Sequence, residues 1–168
     1  GDLTNDGHED LLIAASNGQP TTLFIRKGDQ FLPADLPGLT GDKPGQESDL
    51  AILDIDKDGD NDVLAITGGY MLEDEKAYQH FLYRREGAGF IKETLPVPPF
   101  PASVVRVMDF DHDGDSDVFI GCRVKKWGFP LSLRSYLLIN EDGKLKTDDK
   151  FAFDIGMVTD ALWADYDN

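Results

Sequence analysis

The feature of this chain that most restricts its fold is a nine-residue pattern of aspartates that returns at nearly constant spacing. Residues 109–117 read Asp-Phe-Asp-His-Asp-Gly-Asp-Ser-Asp, residues 54–62 read Asp-Ile-Asp-Lys-Asp-Gly-Asp-Asn-Asp, and residues 2–10 read Asp-Leu-Thr-Asn-Asp-Gly-His-Glu-Asp. Their first aspartates stand 52 and 55 residues apart, and a fourth copy opens 56 residues further on with Asp165 and Asp167. A period of roughly 50 residues predicts a repeat array or propeller, in which no unit buries its apolar face alone.

The pattern also has a chemical reading. Side-chain oxygens on alternate residues of a short loop can converge on one hard cation, and a glycine at position 6 permits the sharp turn that returns position 9 to it. Without a cation, carboxylates about 4 Å apart repel by roughly 4 kcal/mol per pair at an effective dielectric of about 20. Calcium is the expected occupant, at three complete sites and a fourth half-site at Asp165 and Asp167. An EF-hand begins the same way but needs a glutamate at position 12. Here position 12 is Ile13, Ala65 and Ile120, so that reading fails in every copy.

Short runs rich in Val, Ile and Leu follow each loop, at 11–15, 63–67 and 118–122, and precede the later ones, at 49–53, 103–108 and 161–164. Bounded by turn residues, they predict buried strands, so that strand, loop, strand forms a hairpin with a metal-clamped turn. Two more strands are expected in each unit. Residues 22–27, 80–85 and 136–140 each run into a glycine turn followed by an apolar residue, Phe31, Phe90 or Leu145. Four antiparallel strands per unit predict an all-β fold, a β-propeller fragment of about three blades over 1–45, 46–101 and 102–157, with the first strand of a fourth over 158–168. Proline-rich and glycine-rich links are expected at 33–45 and 95–101, and 73–79 is the one place for a turn or two of helix. The chain has the look of a piece cut within a repeat.

Formal net charge is −16, yet 14 of the 32 acidic residues lie inside the three complete loops, where three divalent cations would offset six units. Hydrophobic content of 40% suffices for a packed core, so acidity does not signal disorder. No basic stripe exists for nucleic acid. Cys122 stands alone, which excludes an internal disulfide and a cysteine-rich zinc site and suits a small buried hydrophobe. No apolar run is long enough to span a membrane. His8, His80 and His112 adjoin no serine or cysteine nucleophile motif and read as packing or solvated residues; no catalytic residue is expected.

The loops and their flanks, such as Val105-Arg106-Val107-Met108-Asp109-Phe110-Asp111 and Ala161-Leu162-Trp163-Ala164-Asp165-Tyr166-Asp167-Asn168, resemble the FG-GAP or VCBS repeats of integrin-like β-propellers. That resemblance implies side-chain ligation from positions 1, 3, 5 and 9 and a backbone carbonyl from position 7. The sets would be Asp109, Asp111, Asp113 and Asp117 with the Asp115 carbonyl, and Asp54, Asp56, Asp58 and Asp62 with the Asp60 carbonyl. In the first loop they would be Asp2, Asp6 and Asp10 with the His8 carbonyl. Thr4 stands where the pattern has an aspartate; its hydroxyl, or a water it holds, would fill the gap, and that site is expected to be the weakest.

The resemblance further implies an extracellular, periplasmic or cell-surface protein. The expected role is a calcium-binding scaffold for a protein or carbohydrate partner, with a polysaccharide lyase or hydrolase as the alternative. Long loops between second and third strands, opposite the aspartate loops, carry the candidate contact residues Tyr70, Tyr78, Arg123, Lys125, Lys126, Trp127 and Phe129. Three blades cannot close a ring, so the open faces would be covered by missing blades or another copy.

Overall fold

The computed structural model describes residues 1–14, 16, 19–41, 46–69 and 72–166. The chain is an all-β β-propeller fragment made of three antiparallel sheets. The first contains β1 (Leu11–Ile13), β2 (Thr22–Lys27) and β3 (Gln30–Ala34). The second runs β4 (Glu47–Leu53), β5 (Asp62–Thr67), β6 (Phe81–Glu86) and β7 (Gly89–Thr94). The third runs β8 (Ala102–Met108), β9 (Asp117–Cys122), β10 (Ser135–Glu141) and β11 (Lys144–Phe153). In every sheet neighbours in sequence are neighbours in space.

The core lies between the sheets, and the second strand of each full sheet explains why. All six residues of β5 and of β9 are buried, because both faces of these strands meet apolar neighbours. Side chains alternate across a strand. Val63 and Ala65 therefore pack toward the first sheet with Leu23 and Leu39, whereas Leu64 and Ile66 pack toward the third with Val118 and Ile120. The continuous apolar runs read in the sequence are this two-sided burial.

Several details depart from expectation. Pro33 lies inside β3, paired with Phe24, rather than in the link. Its strand is at the sheet edge, where a missing N–H costs no ladder hydrogen bond. The proline-rich link does join the outer strand β7 to the inner strand β8, but it is no bare crossing: Leu95, Val97 and Phe100 are buried in the core between the second and third sheets. Residues 161–164 form no strand. The segment instead docks on the third sheet, with Val158 N–H donating to the Cys122 carbonyl at 2.9 Å and Trp163 stacking near Phe119 and Phe110. It has no second strand of its own to pair with among the described residues. The expected helical stretch is a single 3-10 turn, Glu75–Tyr78, capped by the Asp74 side chain.

His80 is fully buried and Cys122 likewise. The His80 Nδ1 accepts the Thr67 N–H at 3.0 Å, and its ring meets Phe100 edge-on at 4.6 Å between centroids. Burial lowers its pKa from 6.5 to about 3, so the ring is neutral.

Candidate functional site

The three aspartate loops share one backbone path. The residue at position 4 is left-handed in each, with φ of 56° at Asn5, 59° at Lys57 and 63° at His112. The glycine at position 6 follows at 82°, 94° and 91° in Gly7, Gly59 and Gly114, a region that side chains rarely enter. The position-1 carboxylate accepts that glycine's N–H in every copy: Asp2 from Gly7 at 2.8 Å, Asp54 from Gly59 at 3.0 Å, Asp109 from Gly114 at 3.0 Å. The position-5 carboxylate accepts the N–H of position 7 at 2.8–2.9 Å, from His8, Asp60 and Asp115 in turn.

The ninth aspartate does something that spacing alone did not reveal. One oxygen accepts the N–H of position 2, and the other accepts a backbone N–H from the third strand. Asp62 bonds Ile55 at 3.1 Å and Arg85 at 2.7 Å; Asp117 bonds Phe110 at 2.7 Å and Asn140 at 2.8 Å. Asp10 repeats this with Leu3 at 2.9 Å and Arg26 at 3.2 Å. All three side chains belong to buried residues, so each loop is tied to its sheet from within. For Asp62 the loss of hydration outweighs these bonds, and its pKa is raised.

Carboxylate oxygens converge in two loops. Those of Asp54, Asp56 and Asp58 lie within 4.8 Å of one another, as do those of Asp109, Asp111 and Asp117. Asp56 Oδ1 and Asp109 Oδ1 are buried without a hydrogen-bond partner among the described residues, leaving lone pairs for a ligand of another kind. Dehydration, with the charges of Asp113, Asp117 and Asp109, raises the pKa of Asp111. A hard divalent cation fits this all-oxygen donor set. In the first loop the Thr4 hydroxyl turns to Asp10 Oδ2 at 3.2 Å, and no third carboxylate joins Asp2 and Asp6 at position 3. Dehydration works to raise the Asp2 pKa, but the N–H groups of Gly7, Asp6, Asn5 and Thr4 prevail and lower it.

Cationic side chains that the spacing did not single out also reach the loops. Arg84, on β6, pairs with Asp56 at 2.7 Å and with Glu93 at 3.1 Å, and donates across to the Gly143 carbonyl of the third sheet at 2.8 Å. It lines a groove of about 460 Å³ between the two sheets. Lys57 pairs with Asp115.

The family model described as an FG-GAP-like repeat matches residues 2–65 and again residues 54–120. The chain belongs to the FG-GAP-like repeat family. In these repeats the matched segments begin at successive aspartate loops, Asp2 and Asp54, so the repeat unit and the loop spacing coincide. No curated protein matches the chain.

The opposite end of this FG-GAP-like array holds the candidate contact loops. Arg123 and Lys125 are exposed, Lys126 is half-buried with its ammonium donating to the Glu73 carbonyl, and Trp127 and Phe129 are 59% and 72% exposed. The loop is braced by Lys125 N–H to Leu131 O at 2.6 Å and Leu131 N–H to Gly128 O at 2.7 Å. Tyr78 is a correction: it is buried, and its hydroxyl accepts the Leu72 N–H at 3.0 Å, so it supports the loop from beneath. The 3-10 turn rotates it inward, and its placement on an aromatic-rich loop did not reveal that. Tyr70 and Asp167 lie outside the described residues; Asp165 is exposed.

Proposed function

We propose that the chain is a calcium-stapled propeller scaffold that works outside the cytoplasm, at the cell surface, in the periplasm or in the extracellular space, and presents its long-loop end to a protein or carbohydrate partner. The observation that carries the calcium reading is the convergence of carboxylate oxygens within 4.8 Å in two loops of the same backbone path. Asp54, Asp56 and Asp58 would hold one ion, with Asp62 and the Asp60 carbonyl completing the set. Asp109, Asp111, Asp113 and Asp117 would hold the second with the Asp115 carbonyl. Asp2, Asp6 and Asp10, with the His8 carbonyl, make the third and weakest site, because Thr4 is committed to Asp10. Calcium neutralises the crowded carboxylates and fixes the hairpin turn.

The partner reading is supported by Trp127 and Phe129, which a braced loop holds exposed beside Arg123, Lys125 and Lys126. Further blades or a second copy would cover the apolar edges, where Leu162 is 89% and Ile155 60% exposed. The location is supported by the millimolar calcium outside the cytosol, which fills weak loops. Calorimetric titration with calcium, followed by melting in calcium and in EDTA, tests the scaffold. Heat of binding with a higher melting temperature is expected; a flat titration with coincident melts would refute it.

A further inference from the structure

The contacts between successive loops repeat from one blade to the next. Position 4 of the first loop, Asn5, donates from its amide to Asp60, which is position 7 of the second loop. Position 4 of the second loop, Lys57, pairs with Asp115, which is position 7 of the third. The shared left-handed backbone at position 4 aims both side chains the same way across the seam. A second contact repeats beside it. Arg85 and Asn140, equivalent residues of β6 and β10, donate to the carbonyls of Leu3 and Ile55, each the second residue of the preceding loop.

The two seams differ in charge, and that difference has a chemical consequence. Asn5 is neutral, whereas Lys57 brings a full positive charge from one aspartate loop to the rim of the next. Its ammonium pairs with Asp115 and also feels the charges of Asp113 and Asp109, and it lies 3.5 Å from where a Cβ on Gly114 would stand. Asp115 is gripped on its other oxygen by the Asp142 N–H at 2.8 Å, so Lys57 meets a fixed acceptor. These two contacts lower the Asp115 pKa, and Asp115 in return raises that of Lys57.

We propose that Lys57 is a tethered counter-ion of the third loop. It offsets part of the carboxylate repulsion while that loop is metal-free, and it opposes a calcium ion entering the loop. The inference rests on the calcium reading above. It makes the third site weaker than its ligand set alone would dictate, and it ties that site to the position of the second loop, from which the lysine projects. By Coulomb's law, a unit positive charge at the rim of the loop opposes a divalent ion in a water-like dielectric by an amount on the order of fivefold in affinity.

The test uses the full chain as wild type, Lys57→Gln and Lys57→Arg. Calcium affinity is measured by calorimetry, and melting is recorded in EDTA and in saturating calcium. Lys57→Gln is expected to bind about fivefold tighter, to melt below wild type in EDTA, and to close that gap in calcium. Lys57→Arg keeps the charge and should track wild type. The gain in affinity should be absent where Asp109→Asn abolishes binding at the third site, which assigns the change to that loop and not to the first or second. An equal melting gap in both conditions with unchanged affinity would mark an ordinary ion pair and overturn the inference. Looser binding would overturn it too, since Lys57 would then be organising the site. If wild type binds no calcium at all, the calcium reading fails first, an outcome distinct from an unaltered variant.

Discussion

Acidification from pH 7.5 to 5.5 should destabilise this protein through one buried side chain, His80. In the fold its Nδ1 is committed to the Thr67 N–H and burial holds its pKa near 3, against 6.5 when unfolded. The sign follows from proton counts. Between those two values the unfolded chain binds a proton at His80 and the folded chain does not, so stability falls as pH drops through 6.5 and goes on falling until about pH 3. The slope in that window is about 1.4 kcal/mol per pH unit, which gives a loss of about 1.4 kcal/mol between pH 7.5 and 5.5. For a chain of this size that corresponds to roughly 3–6 °C in melting temperature. Urea unfolding at a series of pH values, in calcium throughout, measures it. The comparison is His80→Gln, which keeps an acceptor at the site but cannot take up the proton. Wild type should lose about 1.4 kcal/mol more than the variant over this range. Parallel slopes for the two proteins would refute the reasoning, because the buried imidazole would then carry none of the pH dependence.

Other perturbations read out the loops and the seam. Calcium at 10 to 100 times its dissociation constant should add about 1.4–2.7 kcal/mol per filled site, so EDTA should lower the melting temperature by several degrees. Asp117→Ala leaves the Phe110 and Asn140 N–H groups without their acceptors, at about 1–3 kcal/mol each. Because those bonds need no metal, the loss should persist in EDTA, which chemical unfolding with and without calcium can check. Gly143→Ala sets a Cβ at φ 79° and 2.6 Å from the Asp56 Cβ. It should cost about 1–3 kcal/mol and weaken calcium binding in the second loop, with calorimetry as the measurement. Replacing Trp127 and Phe129 together by alanine should leave stability within about 0.5 kcal/mol while abolishing capture of a protein or glycan partner, measured on an array.

Much of the fold was legible because repetition averages out local ambiguity. Three copies of an apolar run after an aspartate loop identify β5 and β9 where one copy could equally be a helix segment, and the glycine turns place β2, β6 and β10 within a residue or two. What repetition does not carry is anything peculiar to one copy or dependent on a neighbour. Residues 161–164 have the composition of a strand, but a strand exists only when paired, and here the segment packs its Trp163 on the third sheet. Tyr78 sits among loop residues in sequence yet faces inward, since a single 3-10 turn reverses its direction. At the candidate site, spacing singled out the six aspartates whose oxygens converge in the second and third loops, and backbone geometry then showed what the ninth residue of each loop holds. Arg84 and Lys57 stayed hidden because their partners lie 28 and 58 residues away, across strands or across a seam.

The ninth aspartate, finally, bears on how such an array can grow and diverge. Its two backbone bonds tie the loop's path to the sheet, and the first loop keeps that path although Thr4 stands where the other loops have an aspartate. A change at position 3 thus leaves the turn intact, whereas position 9 is bound into the fold of the loop. A duplicated copy can therefore vary such side chains one at a time while remaining a sound building block, so descendants of one ancestral unit can come to differ in loop chemistry along a single chain.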